Sequence, residues 1–206
     1  MSRRTALSAI AAPMAALLLL TGCASSGEGD NFAFHSPGGQ TEIFYEESER
    51  KPVEHFSGES LTEPGTTVDL HDFDGKIVVL NAWGQWCAPC RAEVDDLQEV
   101  QEHLNADGTG TVLGINVRDP QPEIARDFVA DNGVTYPSIY DPPFKTASFL
   151  GGVPSSVIPT TIVLDKQHRP AAVFLREVTA QDVLEVTDKL AQELSLIHIS
   201  EPTRLR

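Results

Sequence analysis

Trp86-Cys87-Ala88-Pro89-Cys90 decides the fold of this chain, because these residues stand where a strand gives way to a helix. The preceding run, Lys76-Ile-Val-Val-Leu-Asn-Ala-Trp83, reads as a short buried strand. The following run carries Val94, Leu97, Val100 and Leu104 at helical spacing. Cys87 therefore falls at a helix N-terminus, where unpaired N–H groups and the helix dipole stabilise an anion. A thiolate rather than a thiol attacks disulfides, so this placement makes Cys87 a candidate nucleophile. Pro89 suits the first helical turn, since the N–H it lacks would be unpaired there.

Two nearby cysteines can also be half of a zinc site, which needs two further Cys or His ligands. No cysteine follows Cys90, and the histidines at 35, 55, 71, 103, 168 and 198 never fall at ligand spacing. A redox dithiol without a metal is the expectation.

Residues 1–22 read as an export signal: Arg3 and Arg4, an apolar run from Ala6 to Leu20, then Leu20-Thr21-Gly22-Cys23. The last four residues resemble a bacterial lipobox, which would leave Cys23 to carry lipid and tie the domain to a bilayer. An ordinary signal peptide is the alternative, and Arg3-Arg4 also admits twin-arginine export. With one thiol lipidated and two paired, no unpaired thiol is left over in an oxidising compartment. Removing 1–22 takes two cations from a chain of net charge −15, leaving about −17. That balance argues against nucleic-acid partners and against electrostatic adhesion to anionic lipid. Both methionines, Met1 and Met14, fall in the signal, which excludes a Met-based copper site in the mature chain.

Residues 23–51 read as a tether rich in Ser, Gly and Glu. Phe32 and Phe34, the turn residues Ser36-Pro-Gly-Gly39, and Ile43 and Tyr45 suggest a β-hairpin docked on the domain edge. Residues 52–193 read as one domain of roughly 140 residues, enough for one core. Its pattern is a hairpin (54–60 with 66–70), strand 77–82, helix 88–105, strand 111–117 and helix 123–132. A short strand 137–140, a short helix 144–150, an antiparallel pair (160–165 with 171–176) and helix 180–193 complete it. Alternating strands and helices followed by a hairpin and a helix imply an α/β sandwich with a mixed sheet. Residues 194–206 break the periodicity and contain Pro202. They resemble the translation of a sequencing-library adapter and are expected to be a non-native tail without function, His198 included.

Trp-Cys-x-Pro-Cys between strand and helix, with Ile158-Pro159-Thr160-Thr161 far downstream before a strand, resembles the thioredoxin superfamily. The lipobox, the run Asn81-Ala-Trp-Gly-Gln-Trp-Cys87 and the insertion between the second strand and third helix are more specifically similar to membrane-anchored TlpA/ResA-type thiol–disulfide oxidoreductases. The resemblance implies a thioredoxin fold: a three-layer sandwich on a central mixed sheet, with an N-terminal β-hairpin extension and an inserted helix. It implies Cys87 as nucleophile, Cys90 as resolving thiol, no organic cofactor, and a cis peptide at Ile158–Pro159. A cis proline beside the dithiol would leave backbone free to pair with an extended substrate segment, making Ile158 and Pro159 substrate-binding. Trp86 would shield the thiols, or simply pack at the rim. Cys90, a turn further in, should be less exposed than Cys87.

Thioredoxin carries a buried Asp where Asn81 stands, and Asn cannot exchange a proton at neutral pH. Glu93, three residues after Cys90, is the replacement the resemblance implies: a carboxyl to aid proton transfer, its pKa raised if buried. The alternative is an early-turn acid favoured by the helix dipole. Asp95, Asp96, Glu99 and Glu102 read as a solvated face, with Arg91 and Asp95 an i,i+4 pair.

The expected function is extracytoplasmic, membrane-tethered dithiol exchange. The family implies reduction of protein disulfides, such as apocytochrome c cysteines before haem attachment, with a membrane thiol-donor protein as reductant. Dithiol proteins span about 150 mV, or about 7 kcal/mol, so a disulfide-forming oxidase of secreted proteins is the runner-up. A peroxidase is disfavoured because Trp83-Gly-Gln-Trp86 offers no Pro/Thr pocket before the cysteine. A copper-carrying lipoprotein would need a distal histidine, for which only His168 offers itself, more plainly a solvated turn residue.

Overall fold

A computed structural model describes residues 30–199; the export signal and Cys23 lie outside the described residues. In chain order the strands are β1 (Glu42–Phe44), β2 (Ser57–Glu59), β3 (Thr67–Asp69), β4 (Ile77–Trp83), β5 (Gly110–Asn116), β6 (Ser138–Tyr140), β7 (Thr160–Leu164) and β8 (Pro170–Phe174). The helices are α1 (Ala88–Ala92), α2 (Val94–Ala106), α3 (Pro122–Asp131) and α4 (Ala180–Ile199). Six strands form one mixed sheet in the order β1-β8-β7-β4-β5-β6, and β2 and β3 pair as a separate hairpin. β4 runs parallel to β5 and antiparallel to β7. This is the thioredoxin fold, as the strand–dithiol–helix motif implied.

β4 and β5 are buried along their whole length, as apolar runs covered on both faces must be. Alternation along β4 sorts the core. Ile77 and Val79 face Leu97, Val100 and Leu104 of α2 and Val183, Val186 and Leu190 of α4. Val78, Leu80 and Ala82 face the opposite layer, built among its buried residues from Phe32, Ile43, Val53, Phe56, Leu70, Phe144 and Leu150. Among the residues whose side chains are described, none of the four α-helices contributes to that second cluster. The third layer is thus made of the N-terminal segment and of short 3-10 turns (Leu70–Phe73 and Lys145–Phe149).

The N-terminal segment does dock on the domain, but not as a hairpin. Ile43 of β1 sits opposite Val173 of β8, extending the main sheet. Phe32 N–H donates to the Pro52 carbonyl (2.7 Å) and Phe34 N–H to that of Gly151 (2.8 Å). Phe32 and Tyr45 still meet edge to face, ring centroids 5.4 Å apart, but within the core cluster rather than across a hairpin, and β8 offers β1 an edge to pair with. Gly151 has φ +65°, and a Cβ there would lie 2.5 Å from the Phe32 carbonyl oxygen. Gly151→Ala is therefore expected to cost about 1–3 kcal/mol, read as a lower chemical-denaturation midpoint. An unchanged midpoint would show that the segment gives way freely.

Two helix boundaries and the burial of one histidine differ from expectation. The single helix 88–105 is two, because the chain opens at Glu93 (φ −86°, ψ −3°), the last cap of α1 and the first of α2. The final helix continues past residue 193 to Ile199. Its backbone meets no proline before Pro202, which can end a helix where a merely weak apolar pattern does not. His168 is buried rather than solvated. It takes φ +54° in the turn between β7 and β8, and its Nε2 lies 3.2 Å from the Phe73 carbonyl.

Candidate active site

β4 ends at Trp83, and Gly84-Gln-Trp86 carries the chain to Cys87, the N-cap of α1. Cys87 and Cys90 are joined as a disulfide, and the Cys90 N–H points at Cys87 Sγ (3.2 Å). Opposite stands the segment before β7, with a cis peptide at Ile158–Pro159 and the Ile158 carbonyl oxygen 3.8 Å from Cys87 Sγ. The structure thus brings together Cys87, Cys90, Ile158 and Pro159, residues 71 positions apart between Cys87 and Ile158. The expected contrast in exposure does not hold: both cysteines are 4 % exposed. They belong to one packed apolar cluster with Leu61, Trp83, Ala125 and Val129, with Ile158 packed against it.

Trp86 sits on the rim, 44 % exposed. Its Nε1–H donates to the Val117 carbonyl (3.1 Å). Gly84 is required by this close approach, since a Cβ there would meet Trp86 Nε1 at 2.3 Å and the Val117 oxygen at 2.8 Å. The loop is held from below by Asp119, buried at the C-terminal side of β5. Its Oδ2 accepts from the Gln85 N–H (2.8 Å) and from Asn116 Nδ2 (2.7 Å). Sequence reasoning passed over Asp119 and its neighbour Arg118. The signal was there: Asn116-Val-Arg-Asp119 is polar just where parallel strands end, and ligand sites of α/β sheets gather at those ends.

Glu93 is fully buried. Asn81 Nδ2 donates to its Oε1 (2.8 Å) and to Thr161 Oγ1 (3.0 Å), and the Val178 N–H donates to Oε2 (3.0 Å). Burial pushes its pKa from the ordinary carboxyl value up to about 7, against the pull of those two N–H donors. It also helps hold the buried Tyr136 hydroxyl neutral, a group whose own desolvation raises its pKa first. The simple early-turn acid is thereby set aside, since the carboxyl faces the interior. A cavity with room for about one water lies between Cys90, Asn81, Trp83 and Tyr136. Glu93 is not in its wall; Asn81 stands between.

The acidic face of α2 is not wholly solvated. Asp96 Oδ1 caps α4 through the Ala180 N–H (2.8 Å). Arg91 does not pair with Asp95 but turns back to the loop, donating from Nη1 to the Gln85 carbonyl (2.8 Å). The Gln85 carbonyl, in a loop held by the Gln85 N–H to Asp119, offers the guanidinium a fixed acceptor, whereas a surface i,i+4 pair is worth only a few tenths of a kcal/mol. Among the described residues no group of three or more His, Cys, Asp or Glu side chains is placed to hold a metal, and no helix is long and apolar enough to cross a membrane.

Residues 50–169 match the AhpC/TSA family. A secreted thiol-disulfide isomerase of Corynebacterium glutamicum is 65 % identical, covering 79 % of this chain and 98 % of that one, with a TM-score of 0.77. A DsbF homologue from Corynebacterium diphtheriae is 70 % identical over 77 % of this chain and 99 % of that one, TM-score 0.74. The thiol-disulfide oxidoreductase ResA of Geobacillus thermodenitrificans is 30 % identical over 114 residues, 55 % of this chain and 63 % of its own length. The match therefore spans somewhat under two thirds of that curated relative.

Proposed function

This chain belongs to the AhpC/TSA family, and on that footing we propose that it is a ResA-type thiol–disulfide oxidoreductase acting outside the cytoplasm on protein disulfides. The observation that carries this reading is the Cys87–Cys90 disulfide at the start of α1, facing the Ile158 carbonyl beside cis Pro159. In the reduced protein the Cys87 thiolate attacks one sulfur of a substrate disulfide and expels the other as thiolate. Cys90 then attacks Cys87 Sγ, expels the second substrate sulfur and closes the Cys87–Cys90 disulfide. Two electrons pass from the dithiol to the substrate. Ile158 and Pro159 would flank an extended substrate segment, and Trp86 would line the rim of its groove. Glu93, bonded to Asn81 beside the Cys90 cavity, would aid proton transfer at the dithiol, its pKa of about 7 being matched to neutral pH.

The finer reading is a lipoprotein tethered through Cys23 to the outer face of a membrane. It would reduce substrates such as apocytochrome c cysteines and be recharged by a membrane thiol donor. The resemblance to ResA supports it. A second reading, shuffling or forming disulfides in secreted proteins, is favoured by the secreted thiol-disulfide isomerase that is 65 % identical to this chain. Two measurements divide the cases. The protein should accelerate insulin reduction by dithiothreitol, and Cys87→Ser should not; no acceleration rejects exchange. A reduction potential near about −270 mV supports a reductase, and one near about −120 mV overturns that in favour of an oxidase.

A further inference from the structure

The described residues include six arginines, and four of them pair with carboxylates. Arg50 binds Glu193 (2.8 Å), Arg126 lies 3.6 Å from Glu123, Arg169 binds Asp165 (2.8 Å), and Arg176 binds Glu42 (2.7 Å) and Asp182 (3.0 Å). The two without a carboxylate partner, Arg91 and Arg118, are both anchored on the two residues before Cys87. Arg91 holds the Gln85 carbonyl, and the Arg118 guanidinium lies 5.6 Å over the Trp86 ring. Arg118 also donates from Nη2 to the Ser155 carbonyl, so it spans from the Cys87 loop to the segment leading to Ile158–Pro159. In a chain of net charge −15, unpaired arginines are concentrated at the dithiol.

Arg118 is held there against its backbone preference. It has φ +58°, a left-handed conformation that costs a non-glycine residue free energy, and its N–H is fixed to the Pro142 carbonyl (3.0 Å). The neighbouring carboxylate does not neutralise it: Asp119 is buried, with Oδ2 already accepting two N–H donors. A guanidinium using one donor for Ser155 keeps others free, and its planar fork suits a carboxylate.

We propose that Arg118, assisted by Arg91, is a specificity-determining residue that receives a carboxylate next to the target cysteine of an extended protein segment. The inference rests on the exchange reading above and adds to it the class of segment preferred. Charge complementarity at the mouth of the groove would raise encounter and orient the segment against Ile158.

The test uses disulfide-linked homodimers of the pentapeptide Gly-X-Cys-X-Gly, with X as Glu, Gln or Lys, and the reduced protein. Each rate is divided by that of dithiothreitol with the same dimer, which removes the effect of X on the leaving thiol. The Glu dimer should react about fivefold faster than the Gln dimer at low ionic strength, and the ratio should fall toward one in 0.5 M salt. In R118Q it should drop to about twofold, and in R91Q/R118Q to about one. A role limited to bracing the loop would lower all rates and leave the ratio intact, which overturns the proposal. Equal rates on the three dimers in the parent protein also overturn it, while exchange itself stands. No reaction with any dimer rejects the exchange reading and this inference together.

Discussion

Cys90→Ser is expected to turn a catalyst into a trap. Cys87 can still open a substrate disulfide, but the mixed disulfide has lost its intramolecular exit. A thiol held one helical turn away acts at an effective concentration far above that of any free thiol, so resolution should slow by about 10³-fold or more. The structure supports this directly: the two sulfurs are within bonding reach, with both cysteines in one packed apolar cluster. Mass spectrometry of non-reduced samples should find partners on Cys87 alone, and those partners name the physiological substrate. Trapping of the same partners by Cys87→Ser would reverse the roles assigned here. No adduct in Cys90→Ser would sink the two-step exchange.

Glu93→Gln has the next largest expected effect, and pH reveals it. The folded-state pKa of Glu93 is raised from 4.5 to about 7. Below pH 4.5 both folded and unfolded states hold the proton. Between 4.5 and 7 the unfolded chain releases it first, so the folded state binds more protons and its stability falls as pH rises. Above about 7 the curve flattens, with up to about 3 kcal/mol lost. Glu93→Gln lacks this slope. The stability of the parent minus that of the variant should thus be greatest at about pH 4 and decline by about 3 kcal/mol toward pH 8, followed by denaturant titration. His71, whose pKa its Asp74 partner raises, slopes the same way but is common to both proteins. In exchange assays the variant should be slower and lose the inflection near pH 7. Parallel stability curves would remove the buried, titrating carboxyl, and an unchanged rate profile from pH 5 to 9 would remove its part in proton transfer.

Much of this site could be read from local pattern. Seven consecutive residues from Ile77 to Trp83 demanded a strand covered on both faces, Cys87 and Pro89 marked a helix start, and Ile158-Pro159-Thr160 marked the opposing segment. Such features depend on neighbours in the chain, which is why they survive without coordinates. The hairpin assigned to residues 32–45 failed for the complementary reason. Alternation of Phe32, Phe34, Ile43 and Tyr45 says that one side is buried but not against what, and β8 and Gly151 are more than a hundred residues away.

The amino-acid order alone determined a dithiol between a buried strand and a helix, because strand and helix periodicities and proline's missing N–H act over a few residues. Only the folded chain decided that Glu93 is a near-neutral acid and that Arg118 and Asp119 serve the Cys87 loop. Burial and hydrogen bonding set a carboxyl's pKa, and Glu93 meets donors 12 and 85 residues distant. Arg118 finds Ser155 at 37. Desolvation and charge pairing are properties of the packed surroundings, and those exist only once the sheet has closed.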